Sequence, residues 1–120
     1  MSETQNSKKY DLEERTLRYV KEVNQFIKTL PKTITNIEYI KQLAKASGSV
    51  GANYREANES LSKKDFVMRI KICRKESKES VYWLNLVETN SVDSERKREY
   101  LIQEGSELKK IFSSIVVKSI

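Results

Sequence analysis

The chain has 120 residues, 33% charged and 38% hydrophobic, with three glycines, one proline, one cysteine, no histidine and a net charge of +6. That length predicts one domain, and so little Gly and Pro argues against a β-sandwich, which needs turn residues every ~10 positions. Without histidine the commonest general base and metal ligand are missing, and a single cysteine makes neither a disulfide framework nor a zinc cluster.

Residues 1–10 read as a polar leader and residues 11–120 as one bundle domain. Asp11 with Glu14 resembles a capping box that opens a first helix. Its apolar positions Leu12, Tyr19, Val20, Val23, Phe26, Ile27 and Leu30 recur at helical spacing until Pro31 stops it. Thr35-x-x-Glu38 predicts the start of a second helix, with an inward stripe of Ile40, Ala44, Ser47, Gly51, Tyr54 and Asn58 flanked by Leu43 and Val50.

Ser62 with Asp65 predicts the cap of a third helix. Its stripe is Phe66, Ile70, Cys73, Ser77, Ser80, Leu84 and Val87, spaced as an unbroken a/d heptad, so near-parallel helix packing is expected. Thr89 to Ser94 reads as a polar loop. A fourth helix follows with Leu101, Gly105, Leu108, Phe112 and Ile115 on one stripe. Short loops make neighbouring helices antiparallel, so the expected fold is all-α, an antiparallel up-down four-helix bundle. Gly48, Gly51 and Ala52 on the second helix and Cys73 and Ser77 on the third predict a close seam between those two. Such a seam offsets the ~1 kcal/mol that each interior glycine costs, and a kink at Gly48–Gly51 is the alternative.

The block Ser47–Leu86 (SGSVGANYREANESLSKKDFVMRIKICRKESKESVYWLNL) carries a resemblance, supported by LEERT from Leu12 and LPKT from Leu30. These pieces resemble the four-helix bundle protein family encoded within intervening sequences of bacterial 23S rRNA genes. The resemblance implies a bundle that assembles as a ring-like homopentamer. Relatives include the accessory variability determinant protein of diversity-generating retroelements, which binds nucleic acid and a reverse transcriptase. It implies no particular activity.

On the third helix Lys63, Lys64, Lys71, Lys75 and Lys78 are candidates for nucleic-acid phosphates, RNA or DNA, a salt-sensitive and sequence-independent mode. The plainer reading is a solvated face with local pairs such as Lys75–Glu79. Arg55, Glu56, Arg69, Arg74 and Glu76 flank the stripes and read as interhelical or subunit ion-pair residues. The pairs Glu56/Glu59 and Glu76/Glu79 resemble the magnesium ligands of all-α nucleotide pyrophosphatases. The heptad turns the first pair outward and cations crowd the second, so that reading is remote.

Cys73 reads as a buried core thiol, Tyr54, Tyr82 and Trp83 as packing aromatics in preference to base-stacking ones, and the tail Ile115–Ile120 as docked. No catalytic residue, metal or cofactor is expected. The basic third helix, the missing catalytic chemistry and the resemblance, which implies the oligomer, together predict a non-catalytic, oligomeric, RNA-binding protein, with a protein-interaction scaffold as the alternative. A polar start and the lack of a long apolar run predict a cytoplasmic protein without membrane contact.

Overall fold

A computed structural model describes residues 2–120, with side chains from Asp11 onward. Four α-helices make up the fold: α1 (Ser2–Ile27), α2 (Ile34–Asn58), α3 (Lys63–Leu86) and α4 (Val92–Ser119). The side chains of residues 1–10, read as a polar leader, lie outside the described residues. Asp11 sits inside α1 and not at its N-cap, because residues 2–10 hold no glycine or proline to stop the helix.

Each remaining helix start is set by one hydroxyl. Thr33, Ser62 and Ser91 have extended backbones, and their side chains accept the amide hydrogens of Asn36, Asp65 and Ser94. Thr33 thus replaces the expected Thr35 as the cap of α2. The loop expected over Thr89–Ser94 ends at Ser91, where a second capping serine was available. At the other end of α1, Pro31 stops the helix and the last turn tightens through Thr29 and Leu30 amides to Phe26 and Ile27 carbonyls. Lys32 Nζ then donates to the carbonyls of Ile27 (3.0 Å), which it shares with the Leu30 amide, and Leu30 (2.7 Å).

Specific pairs fix the topology. Glu13 meets Arg55 and Asn58 while Val20 meets Gly48, so α2 runs antiparallel to α1. Asn53 with Arg69, Val50 with Cys73 and Tyr39 with Trp83 set α3 antiparallel to α2 in one register. Arg98 reaches back to the carbonyls of Leu84 and Val87, and Val81 lies against Gly105, which places α4 antiparallel to α3. Arg15–Glu104, Glu22–Lys97 and Thr29–Ser94 close the square between α1 and α4. The result is an up-down bundle, 47 × 23 × 19 Å, in which every helix packs on two neighbours.

The core holds Tyr19, Val23, Phe26, Leu43, Val50, Ile70, Cys73, Leu84, Leu101, Leu108 and Phe112, all essentially inaccessible. Burying each large apolar side chain contributes about 1.5–3 kcal/mol, the main stabilisation of helices that have only moderate intrinsic propensity. The α3 heptad from Ile70 to Val87 is buried as its spacing predicts, with Val67 in place of Phe66 at the start. On α2 the buried stripe is Leu43, Ser47, Val50, Tyr54 and Ala57. It is turned from the expected one because Leu43, Val50 and Ala57 bring more apolar surface to the centre than Ala44, Gly51 and Asn58. Tyr54 stacks obliquely on Phe112 at 5.9 Å in that core. The tail docks only in part: Val116 is buried, Ile115 is half-buried, and Val117 and Ile120 are exposed.

The glycines of α2 correct another expectation. A side chain at Gly51 would come within 3.0–3.2 Å of Thr16, and one at Gly48 would meet Val20, so both face α1 and not α3. Ala52 is exposed and belongs to no seam. The α2–α3 approach is made by Val50 and Cys73 instead, where the thiol donates to the Val50 carbonyl at 3.5 Å. Ser77 is buried on the same α3 stripe, its hydroxyl donating to the Cys73 carbonyl. Helix α2 continues unbroken through Gly48–Gly51.

Candidate nucleic-acid interface

The outward face of α3 is built by the same heptad that builds the core. With Ile70, Ser77 and Leu84 turned inward, Lys64, Lys71, Lys75, Lys78 and Tyr82 fall on the opposite side, at steps of 7, 4, 3 and 4. All five are exposed, as is Lys63 beside them. None of the lysines has a carboxylate within 4 Å among the described residues. From Lys64 to Lys78 the row covers about 21 Å at 1.5 Å per residue.

The acidic residues of α3 lie to one side of this row. Arg69 and Trp83 mark the edge that faces α2: Arg69 donates to Asn53 at 2.9 Å and Trp83 packs on Tyr39 at 6.0 Å. Glu76 and Glu79 share that edge by helical spacing, and both are half-buried. Burial raises the Glu76 carboxyl above its ordinary pKa and Glu79 raises it further, while Lys75 and Lys45 oppose the shift.

The edge that faces α4 is cationic. Arg74 lies there, one heptad from Val81, half-buried and with no carboxylate partner among the described residues. Lys109, one turn beyond Gly105, stands level with Ser77 and Lys78 in this register and is exposed. The acidic residues of α4 in this half, Glu104 and Glu107, turn to α1, where both engage Arg15. Lys109 extends the lysine row onto a second helix. It was missed because its contribution depends on the α3–α4 register, which no local pattern encodes.

The expected ion-pair residues divide. Arg55 pairs with Glu13 of α1 at 3.4 Å, and Arg69 finds an amide oxygen and not a carboxylate. Glu56 is exposed, and with Arg74 and Glu76 it forms no ion pair within the chain among the described residues. The interhelical bonds that the sequence reading missed join LEERT and α4. Arg15 makes a two-pronged bond to Glu104, 2.8 and 2.9 Å, which together with Glu107 raises the guanidinium pKa against its partial burial. Glu13 also accepts from Asn58 at 2.8 Å.

Asn36 was missed as well, and it is wholly buried at the loop end. Its amide donates to the carbonyls of Pro31 (2.8 Å) and Glu88 (3.0 Å) and accepts the Glu88 amide hydrogen (2.7 Å), tying two loops together. Cys73 is buried, and loss of solvation pushes its thiol pKa up to about 12, so it stays protonated. Among the described residues no three Cys, Asp or Glu side chains converge to hold a metal ion. No helix in the described residues is long and apolar enough to cross a membrane.

No curated protein matches the chain. It is similar to a crystal structure of a protein of unknown function from the S23 ribosomal protein family of Bacteroides thetaiotaomicron. The TM-score is 0.75 with 27% sequence identity, over 87% of this chain and 96% of that one. Residues 8–114 match the family model described as 23S rRNA-intervening sequence protein. That span takes in LEERT, LPKT and the α2–α3 block together with nearly all of α4, and the chain belongs to the 23S rRNA-intervening sequence protein family.

Proposed function

We propose that this protein is a non-catalytic, oligomeric bundle that binds RNA through the cationic outer face of α3 and the adjoining side of α4. The observation that carries the reading is the row Lys64, Lys71, Lys75 and Lys78, exposed and free of carboxylate partners among the described residues. Ammonium groups spaced along one helix face neutralise successive phosphates and release counterions, so affinity falls steeply with salt. The resemblance to ring-forming relatives supports a homopentamer, in which five such faces reinforce one field. An alkaline sequence pI of about 9.4 and the lack of histidine support a binding role over catalysis in the cytoplasm.

The test is an anisotropy titration of the intact protein with single-stranded RNA and duplex DNA at two salt concentrations. The triple variant Lys71→Glu, Lys75→Glu, Lys78→Glu should lose at least about tenfold in affinity at low salt while keeping its native mass. A second reading has an observation of its own. Met68 and Tyr82 are 53% and 58% exposed on or beside the lysine row, which suits a protein partner as well. A scaffold would bind no RNA at any salt and would keep its oligomeric mass in the triple variant.

A further inference from the structure

At the N-terminal end of the lysine row the surface opens into a notch between the first turns of α3 and the end of α4. Lys63, Lys64, Lys71, Val67, Met68 and Ile120 are among its lining residues, and it is an open depression of about 550 Å³. That volume falls within the roughly 300–1,000 Å³ of small-ligand sites. Its floor is apolar, and Met68 within it is 53% exposed. Its rim is cationic: the lining side chains include three lysines and no acid, and Asp65 falls on the other side of α3. Lys64 and Lys71 belong both to the notch and to the row, so the two surfaces are continuous.

An apolar floor edged by ammonium groups complements the flat face of an aromatic base whose sugar carries a phosphate. We propose that the notch holds the terminal, phosphorylated nucleotide of a single-stranded RNA whose backbone follows the row toward Lys78. The base lies on Val67, Met68 and Ile120, and the terminal phosphate takes Lys63, Lys64 and Lys71. A duplex keeps its bases stacked and paired and cannot present one to the floor, so the notch selects unpaired ends. This inference rests on the proposed RNA-binding face and adds to it a preference for phosphate-bearing ends.

The experiment uses the full chain and one short RNA sequence in three forms: 5′-phosphate, 3′-phosphate, and hydroxyl at both ends. At least one phosphorylated form should bind about tenfold tighter than the hydroxyl form, the worth of one charge-assisted contact. The arm that does so identifies which end is held. Lys64→Gln and Met68→Ala should each bring that ratio toward one. Lys78→Glu, at the far end of the row, should weaken all three forms and preserve the ratio. Equal affinity for the three forms, with RNA still bound, overturns the notch and leaves the RNA-binding face standing. Absence of RNA binding in every form overturns both. Binding of anionic phosphatidylglycerol vesicles that is abolished by Lys64→Gln, with no discrimination among RNA ends, would assign the notch to a lipid surface and overturn the nucleotide.

Discussion

The phenol oxygen of Tyr19 occupies the space that a side chain at position 105 would need: a Cβ added to Gly105 would lie 2.7 Å from it and 2.8 Å from Val81 Cγ2. The glycine in mid-α4 is therefore what lets α1 and α3 both close on α4. Tyr19 Oη is fully buried and has no hydrogen-bond partner among the described residues, so this contact is one of shape alone. Gly105→Ala should destabilise the bundle by about 1–3 kcal/mol despite the gain in helix propensity, because both neighbours must shift. Gly48→Ala is the control. Its Cβ would meet only Val20 at 3.8 Å, an ordinary contact, so it should stabilise by up to about 1 kcal/mol. Urea unfolding midpoints of the two variants check the opposite signs. Tyr19→Phe removes the unpartnered hydroxyl and should be neutral or stabilising by about 1 kcal/mol.

Asn36 ties the α1–α2 and α3–α4 loops through three hydrogen bonds to backbone groups of Pro31 and Glu88. Asn36→Ala removes these three part-buried bonds and should cost about 1–3 kcal/mol. Hydrogen exchange should rise first at the Glu88 amide, while the other end of the bundle near Ser62 keeps its protection.

Arg15 and Glu104 are partly buried, with side-chain exposures of 29% and 18%, and make two parallel bonds. Glu104→Gln should lower stability by about 1–2 kcal/mol at low salt. The deficit should shrink only slightly in 0.5 M salt, since a half-buried pair is poorly screened. Lys41→Gln, which removes an exposed pair with Glu38, should change stability by less than about 0.5 kcal/mol.

Cys73 and Tyr19 both weaken the fold at alkaline pH. Burial raises the folded thiol from 9.0 to about 12 and raises the Tyr19 phenol above 10.0. Above pH 9 the unfolded chain gives up protons that the folded chain retains. The stability from the thiol is thus complete below pH 9 and lost progressively as pH rises to about 12, and the phenol adds to the loss above pH 10. Urea midpoints should fall between pH 8 and pH 11, and less steeply in Cys73→Ala. In the native protein at pH 8 the thiol should resist alkylation until urea unfolds the chain.

Helix number, heptad seams and the direction of the chain were legible because apolar residues recur with the helix period over long segments. The cap at Ser62 was legible for the same local reason. The cap of α2 was not, since Thr33 and Thr35 both suit the role and the choice falls to Asn36, whose partners come from the distant residue Glu88. The glycine face of α2 was legible as a close-packing surface, but not its partner. Spacing along one helix places Gly51 on a face without telling whether α1 or α3 lies opposite. The exposed lysines of α3 follow from the heptad alone. Lys109 joins them only through the antiparallel register of α4, which tertiary contacts at Arg98 and Gly105 determine.

Contact between the outer face of α3 and RNA phosphates is tested most directly by the salt dependence of RNA affinity in the wild type and in Lys71→Glu, Lys75→Glu, Lys78→Glu. The wild type should show a straight fall of log affinity with log salt. The triple variant should bind more weakly, with a slope shallower by about 2, near 0.7 for each single-strand phosphate that is no longer neutralised. Equal affinities and equal slopes for the two proteins, or no wild-type binding at low salt, would contradict it.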